Sequence, residues 1–93
     1  MRTITFFTKP ECSLCDAALY VLDRVRRDTP FVLRKVDISA PGEERWFAAY
    51  CHDIPVVHLD GKEVFRHHVH ERRLRELLDP KRDAPGDPSL RSG

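Results

Sequence analysis

The chain has 93 residues, of which 41% are apolar and 33% charged, and its formal net charge is +1. That length supports one domain with an ordinary core. The near-balance of charge argues against a general binder of nucleic-acid backbone, which needs a clear basic excess. No apolar run approaches the roughly 18 residues of a membrane span, so neither nucleic acid nor membrane is an expected partner. The opening Met1-Arg2-Thr3-Ile4-Thr5-Phe6-Phe7 has no long apolar leader, which makes the cytoplasm the expected compartment. Three cysteines, an odd number, do not suit a disulfide-stapled secreted scaffold.

Thr3–Thr8 mixes β-branched and aromatic residues and carries apolar groups on both faces, as a central strand covered on both sides does. Lys9-Pro10-Glu11 breaks it. From Leu14 onward, Leu14, Ala17, Ala18, Val21, Leu22 and Val25 recur at helical spacing. Asp16 lies in the first turn of that helix and Arg24, Arg26 and Arg27 toward its last, matching the dipole at both ends. Thr29-Pro30 stops it.

Phe31–Asp37 reads as a second strand, and the charged Arg34-Lys35 pair suits a sheet edge. Ser39-Ala40-Pro41-Gly42 is a loop leading into a helix, with Pro41 suited to its first turn. Glu43–Tyr50 forms a short helix with Trp46, Phe47 and Tyr50 on a packing face. Pro55 precedes the strand Val56–Leu59. Asp60-Gly61 is a two-residue hairpin signal, and Glu63–His67 is the return strand. Glu71–Leu78 is a last helix with Leu74, Leu77 and Leu78 facing inward. Residues 79–93 hold three of the seven prolines and few apolar residues, and read as a flexible tail after a domain at 1–78.

The order β-α-β-α-β-β-α is that of an α/β fold. The first strand–helix–strand unit implies a parallel pair with a right-handed crossover, and the hairpin implies an antiparallel one. A mixed four-stranded sheet in the order 2-1-3-4, with helices on both faces, satisfies both.

Cys12 and Cys15 are the most informative pair. Residues three apart at a helix start share one face. The free N–H groups and positive dipole end there favour a thiolate at Cys12. Lys9 nearby adds to this and Glu11 opposes it. Such a pair can carry thiol–disulfide exchange. A Cys-x-x-Cys is also half of a zinc site, and two buried cysteines can serve as small hydrophobes. Its position between a strand and an amphipathic helix favours redox chemistry.

The stretch Phe7-Thr8-Lys9-Pro10-Glu11-Cys12-Ser13-Leu14-Cys15, together with Ile54-Pro55-Val56-Val57 and Asp60-Gly61-Lys62, resembles the glutaredoxin-like family of the thioredoxin-fold superfamily. The resemblance covers about residues 3–78 and implies a thioredoxin-like fold. It implies a small thiol–disulfide oxidoreductase in which Cys12 attacks and Cys15 resolves. It also implies a cis Pro55 facing the cysteines, with the Ile54 backbone and Lys9 contacting substrate. The expected partners are a protein or small-molecule disulfide and a separate reductant system, with the chain acting as a monomer.

The chain departs from glutaredoxins at two places. Phe65-Arg66-His67-His68 stands where they have a Gly-Gly pair, and Glu11 stands where they prefer an aromatic residue. No resident cofactor is expected, and glutathione, the reductant that the resemblance brings with it, is expected to bind weakly. The rival readings are a noncatalytic binding module on the same fold, and a zinc or iron–sulfur protein using Cys12 and Cys15. Cys51 reads as a buried or semi-buried thiol, the alternative being a third redox partner near the active site. His67, His68 and His70, with His52 and His58, read as solvated or capping residues. Arg66, Arg72, Arg73 and Arg75, interleaved with Glu71 and Glu76, read as a solvated face.

Overall fold

A computed structural model describes residues 1–79. The tail expected at 79–93 lies, apart from Asp79, outside the described residues. The elements in order are β1 (Thr3–Thr8), α1 (Ser13–Asp28), β2 (Val32–Asp37), α2 (Glu44–Tyr50), β3 (Val56–Leu59), β4 (Lys62–Arg66) and α3 (Glu71–Leu78). They build one four-stranded sheet in the order β2-β1-β3-β4. β1 and β2 are parallel, and β3 runs antiparallel to both β1 and β4. This is the architecture expected from the order of elements.

The alternation of side chains along β1 sorts the core into two layers. Phe7 meets Trp46 and Tyr50 of α2, with ring centroids 4.7 and 5.3 Å away. Ile4 and Phe6 therefore point the other way, toward α1 and α3, which pack against each other. Register places Leu59 beside Ile4 and Val57 beside Phe6 on that same side. Ile4, Phe6, Leu22, Val25, Val57 and Leu74 are all buried there, and burial of side chains this size is the main stabilising term.

α1 turns a slightly different face inward from the one expected. Its buried residues are Cys15, Ala18, Leu22 and Val25, while Leu14 is 44% exposed and Ala17 is exposed too. Cys15, 3% exposed, packs as a small hydrophobe and takes the place assigned to Leu14. The helix ends at Thr29, whose N–H donates to the Val25 carbonyl at 2.8 Å.

α2 begins later than expected. Gly42 adopts φ +92, which a right-handed helix cannot use, so Pro41 stays in the loop and Glu43 is the N-cap. Phe47 is not part of the packing face and is 43% exposed. At the hairpin, Asp60 and Gly61 both have positive φ, as a two-residue primed turn requires. The Asp60 carboxylate also accepts from the Thr3 N–H at 2.9 Å and pairs with Arg2, tying the turn to the start of β1. β4 stops at Arg66, and His67 turns into the left-handed region at φ 75. The return strand thus ends one residue short of the expected His67. Among the described residues no helix is long and apolar enough to cross a membrane.

Candidate active site

β1 delivers the chain to the site, and a short turn reverses it into α1. Glu11 holds φ 60 in that turn, a left-handed conformation that only glycine adopts freely. Cys12 follows as the N-cap of α1 in extended conformation. Its carbonyl accepts the Asp16 N–H at 3.1 Å, the first hydrogen bond of the helix. Its Sγ accepts the Cys15 N–H at 3.3 Å. A sulfur in this place satisfies one of the orphan donors of the helix start. That N–H points at the sulfur from the positive end of the helix dipole.

The two thiols are not equivalent. Cys12 is half-buried at the edge of the core, whereas Cys15 is buried within it. Burial above all, together with a hydrogen bond to the Cys12 sulfur, pushes the Cys15 thiol up to about 11. Contacts with the Thr8 hydroxyl and the Lys9 backbone act in the opposite direction. Thr8 is thus a member of the site that the motif alone did not mark. Its position as the last residue of β1, directly ahead of the turn, was the available signal. Lys9 is half-buried and makes no ion pair among the described residues.

Ile54 and Pro55 are buried just ahead of β3, and the peptide bond between them is cis. The Pro55 carbonyl accepts the His67 N–H at 2.7 Å, which ties the end of β4 to the proline segment. Asp53 secures the same corner. Its carboxylate receives Arg66 Nη1 at 3.0 Å and lies 3.3 Å from His67 Nε2. Arg66 also grips Glu63 with two bonds of 2.9 Å and lies over the Tyr50 ring. Asp53 could not be found from the sequence, because its partners are 13 and 14 residues away.

Cys51, the C-cap of α2, is half-buried against the core, in keeping with its expected role. Among the described residues no group of three or more His, Cys, Asp or Glu side chains converges as a metal site would. The arginines of α3 are met by carboxylates: Arg75 by Glu71 and Asp28, and Arg72 and Arg73 by Glu76.

This strand order, with a Cys-x-x-Cys at the first strand–helix junction and a cis-proline before β3, defines a thioredoxin-fold domain. The chain belongs to the glutaredoxin-like family, since the model of the glutaredoxin-like domain (DUF836) matches residues 3–79. It is 35% identical over 75 residues to a "Glutaredoxin-like protein YDR286C homolog" of Dictyostelium discoideum, a match covering 76% of this chain and 69% of the relative. Among solved structures it is similar to protein Ne2328 of Nitrosomonas europaea, with TM-score 0.72 and 20% identity over 84% of this chain and 92% of that one. A mutant thioredoxin of Halobacterium salinarum gives TM-score 0.64 and 19% identity, covering 89% of this chain and 76% of that one. At these identities the two structures speak to the fold alone.

Proposed function

We propose that the protein is a small thiol–disulfide oxidoreductase working through Cys12 and Cys15. The observation that carries this reading is the asymmetry of the pair. One sulfur caps a helix at the edge of the core, while the other is buried behind it and held protonated.

The chemistry runs in two displacements. The Cys12 thiolate attacks one sulfur of a substrate disulfide, forms a Cys12–substrate bond and expels the other substrate sulfur as a thiolate, which takes up a proton. Cys15 then loses its proton and attacks Cys12 Sγ. That step forms the Cys12–Cys15 disulfide and releases the second substrate thiol. Two electrons have passed to the substrate, and a separate thiol reductant restores the pair.

The environment of Cys15 supports this order. Part of what raises its pKa is the Cys12 sulfur itself, through a hydrogen bond and through charge. Both contributions vanish once Cys12 is tied up in a mixed disulfide. Cys15 becomes easier to ionise at the moment it must attack. Lys9, Ile54 and Pro55 are the proposed substrate contacts, and the cytoplasm is the proposed compartment.

The test is alkylation at neutral pH followed by exchange assays on two variants. Cys12 should react faster than Cys15, Cys15→Ser should accumulate mixed disulfides, and Cys12→Ser should lose exchange altogether. Equal or reversed alkylation rates would remove the assigned roles. Metal analysis of protein purified without chelator tests the rival in which the two sulfurs hold zinc or a cluster.

Glutathione is proposed to be a poor reductant. Arg66, the residue best suited to capture a glutathione carboxylate, is engaged by Glu63 and Asp53. His67 holds the backbone conformation natural to glycine but carries an imidazole there. A few lost polar contacts at about 1 kcal/mol each weaken binding by roughly one to two orders of magnitude. Turnover with glutathione and its reductase should therefore trail turnover with a dithiol by at least about tenfold. Efficient glutathione turnover that is lost on Lys9→Ala would reverse the proposal.

A further inference from the structure

The sheet carries a recessed site that the proposed cysteine chemistry does not use. α2 is only seven residues long and covers part of its sheet face. Beside it lies a cleft of about 440 Å³, within the range of roughly 300–1,000 Å³ of small-molecule sites. Strand residues Thr5, Phe7, Val36 and His58 form its floor, and Trp46 lines it from the helix. None of Lys9, Cys12, Cys15, Ile54 or Pro55 lines it.

Two exposed arginines, one on the edge strand β2 and one on α2, line this cleft. Arg34 lies in mid-strand opposite Thr5, on the sheet face that α2 would otherwise cover. Among the described residues its guanidinium has no hydrogen-bond or ion-pair partner. Arg45 also lines the cleft, 4.7 Å from the Trp46 ring centroid, and has no carboxylate partner among the described residues. Glu43 is the single carboxylate of the lining, so the cleft holds two cations to one anion. On α3 and at the end of β4, by contrast, arginines are matched by carboxylates. A guanidinium fork fits a carboxylate or phosphate through paired hydrogen bonds. The half-buried Val36 and Trp46 offer apolar surface that fits a hydrocarbon body.

We propose that this cleft binds a small organic oxyanion. Its carboxylate or phosphate is held by Arg34 and Arg45, and its apolar body lies against Val36 and Trp46.

Trp46 is the only tryptophan of the chain and reports on the cleft directly. Its fluorescence should be followed while the full chain is titrated with phenyl phosphate, benzoate, phenol and inorganic phosphate. Saturable quenching or shift by phenyl phosphate or benzoate is expected, and the stronger of the two identifies the oxyanion. Phenol and inorganic phosphate should each bind at least about tenfold more weakly. Arg34→Gln and Arg45→Gln should each weaken binding about tenfold or more, with circular dichroism unchanged, while Arg27→Gln should not. Amide shifts in NMR should cluster at Thr5, Val36 and His58. The proposal is overturned if neither organic anion saturates, if phenol or phosphate alone binds as well, or if both arginine variants bind like the parent. Amide shifts that cluster around Cys12 would overturn it too.

Discussion

On one side of β1, Ile4 and Phe6 are sealed beneath α1 and α3, and Leu22 and Leu74 above them are fully buried. On the other side, Thr5 and Phe7 face α2, about two turns of helix without a single buried residue. Beside the buried Val56, aromatic rings and a histidine do the packing there: Phe7, Trp46, Tyr50 and His58 meet tilted, edge to face or stacked. The Cys12–Cys15 pair belongs to the first side. Cys15 is a member of the α1 core, and Cys12 caps the helix that this core holds in place. The more deeply buried layer therefore carries the cysteine pair proposed for redox chemistry, and the other layer leaves room for a cleft.

The largest expected effect that tests this contrast is on stability. Leu22→Ala or Leu74→Ala should cost about 2–5 kcal/mol in urea unfolding, the range for a cavity in a closed core. Phe47→Ala on α2, where the ring is 43% exposed, should stay within about 0.5 kcal/mol. Similar losses on both sides would mean that the two layers are equally tight.

A smaller effect is expected where the tight layer meets the site. Glu11 is held at φ 60, and an L-residue pays roughly 1–2 kcal/mol for that conformation, whereas glycine does not. After the extra chain entropy of glycine is subtracted, Glu11→Gly should raise stability by about 0.5–1 kcal/mol. A loss of stability would mean that the Glu11 side chain supports the turn in a way its exposure does not suggest.

Much of this was legible from local patterns. The strand order followed from a crossover of helical length and from Asp60-Gly61. The edge position of β2 followed from Arg34-Lys35, and the N-cap sulfur followed from where the helical stripe begins. What escaped depended on contacts distant in sequence or on residues with two roles. Cys15 has a chemical and a packing role at once, and the neighbouring Leu14 masks its place in the apolar stripe. The end of β4 at Arg66 depends on His67 turning to φ 75 and on Asp53 across the gap, neither of which has a local signature. The incomplete cover of the α2 face was hidden because Trp46, Phe47 and Tyr50 look like one packing face, and only the structure shows Phe47 turned away.

The smallest expected effect is a pH dependence set by the α2 side. His58 lies opposite Thr5 on β3, shares a hydrogen bond of 3.1 Å with the Tyr50 hydroxyl, and stands edge-on to Phe7 at 4.7 Å. Burial in that aromatic setting lowers its pKa, and Glu63 opposes the shift only in part. The folded state thus binds a proton here less readily than the unfolded chain. The stability this contributes is full above the ordinary histidine value of about 6.5 and is lost as pH falls through the folded value. Asp60, Glu63 and Glu71 are held below their usual range by backbone or arginine partners, so their contributions fade only at still lower pH. Urea midpoints measured from pH 7.5 down to pH about 5 should therefore decline modestly. In His58→Gln, which removes the titrating group but keeps hydrogen-bonding capacity toward Tyr50, the curve should flatten over that span. An unchanged slope in the variant, or an imidazole that titrates at or above its ordinary value by NMR, would show that the α2 layer is wetter than its aromatic packing implies.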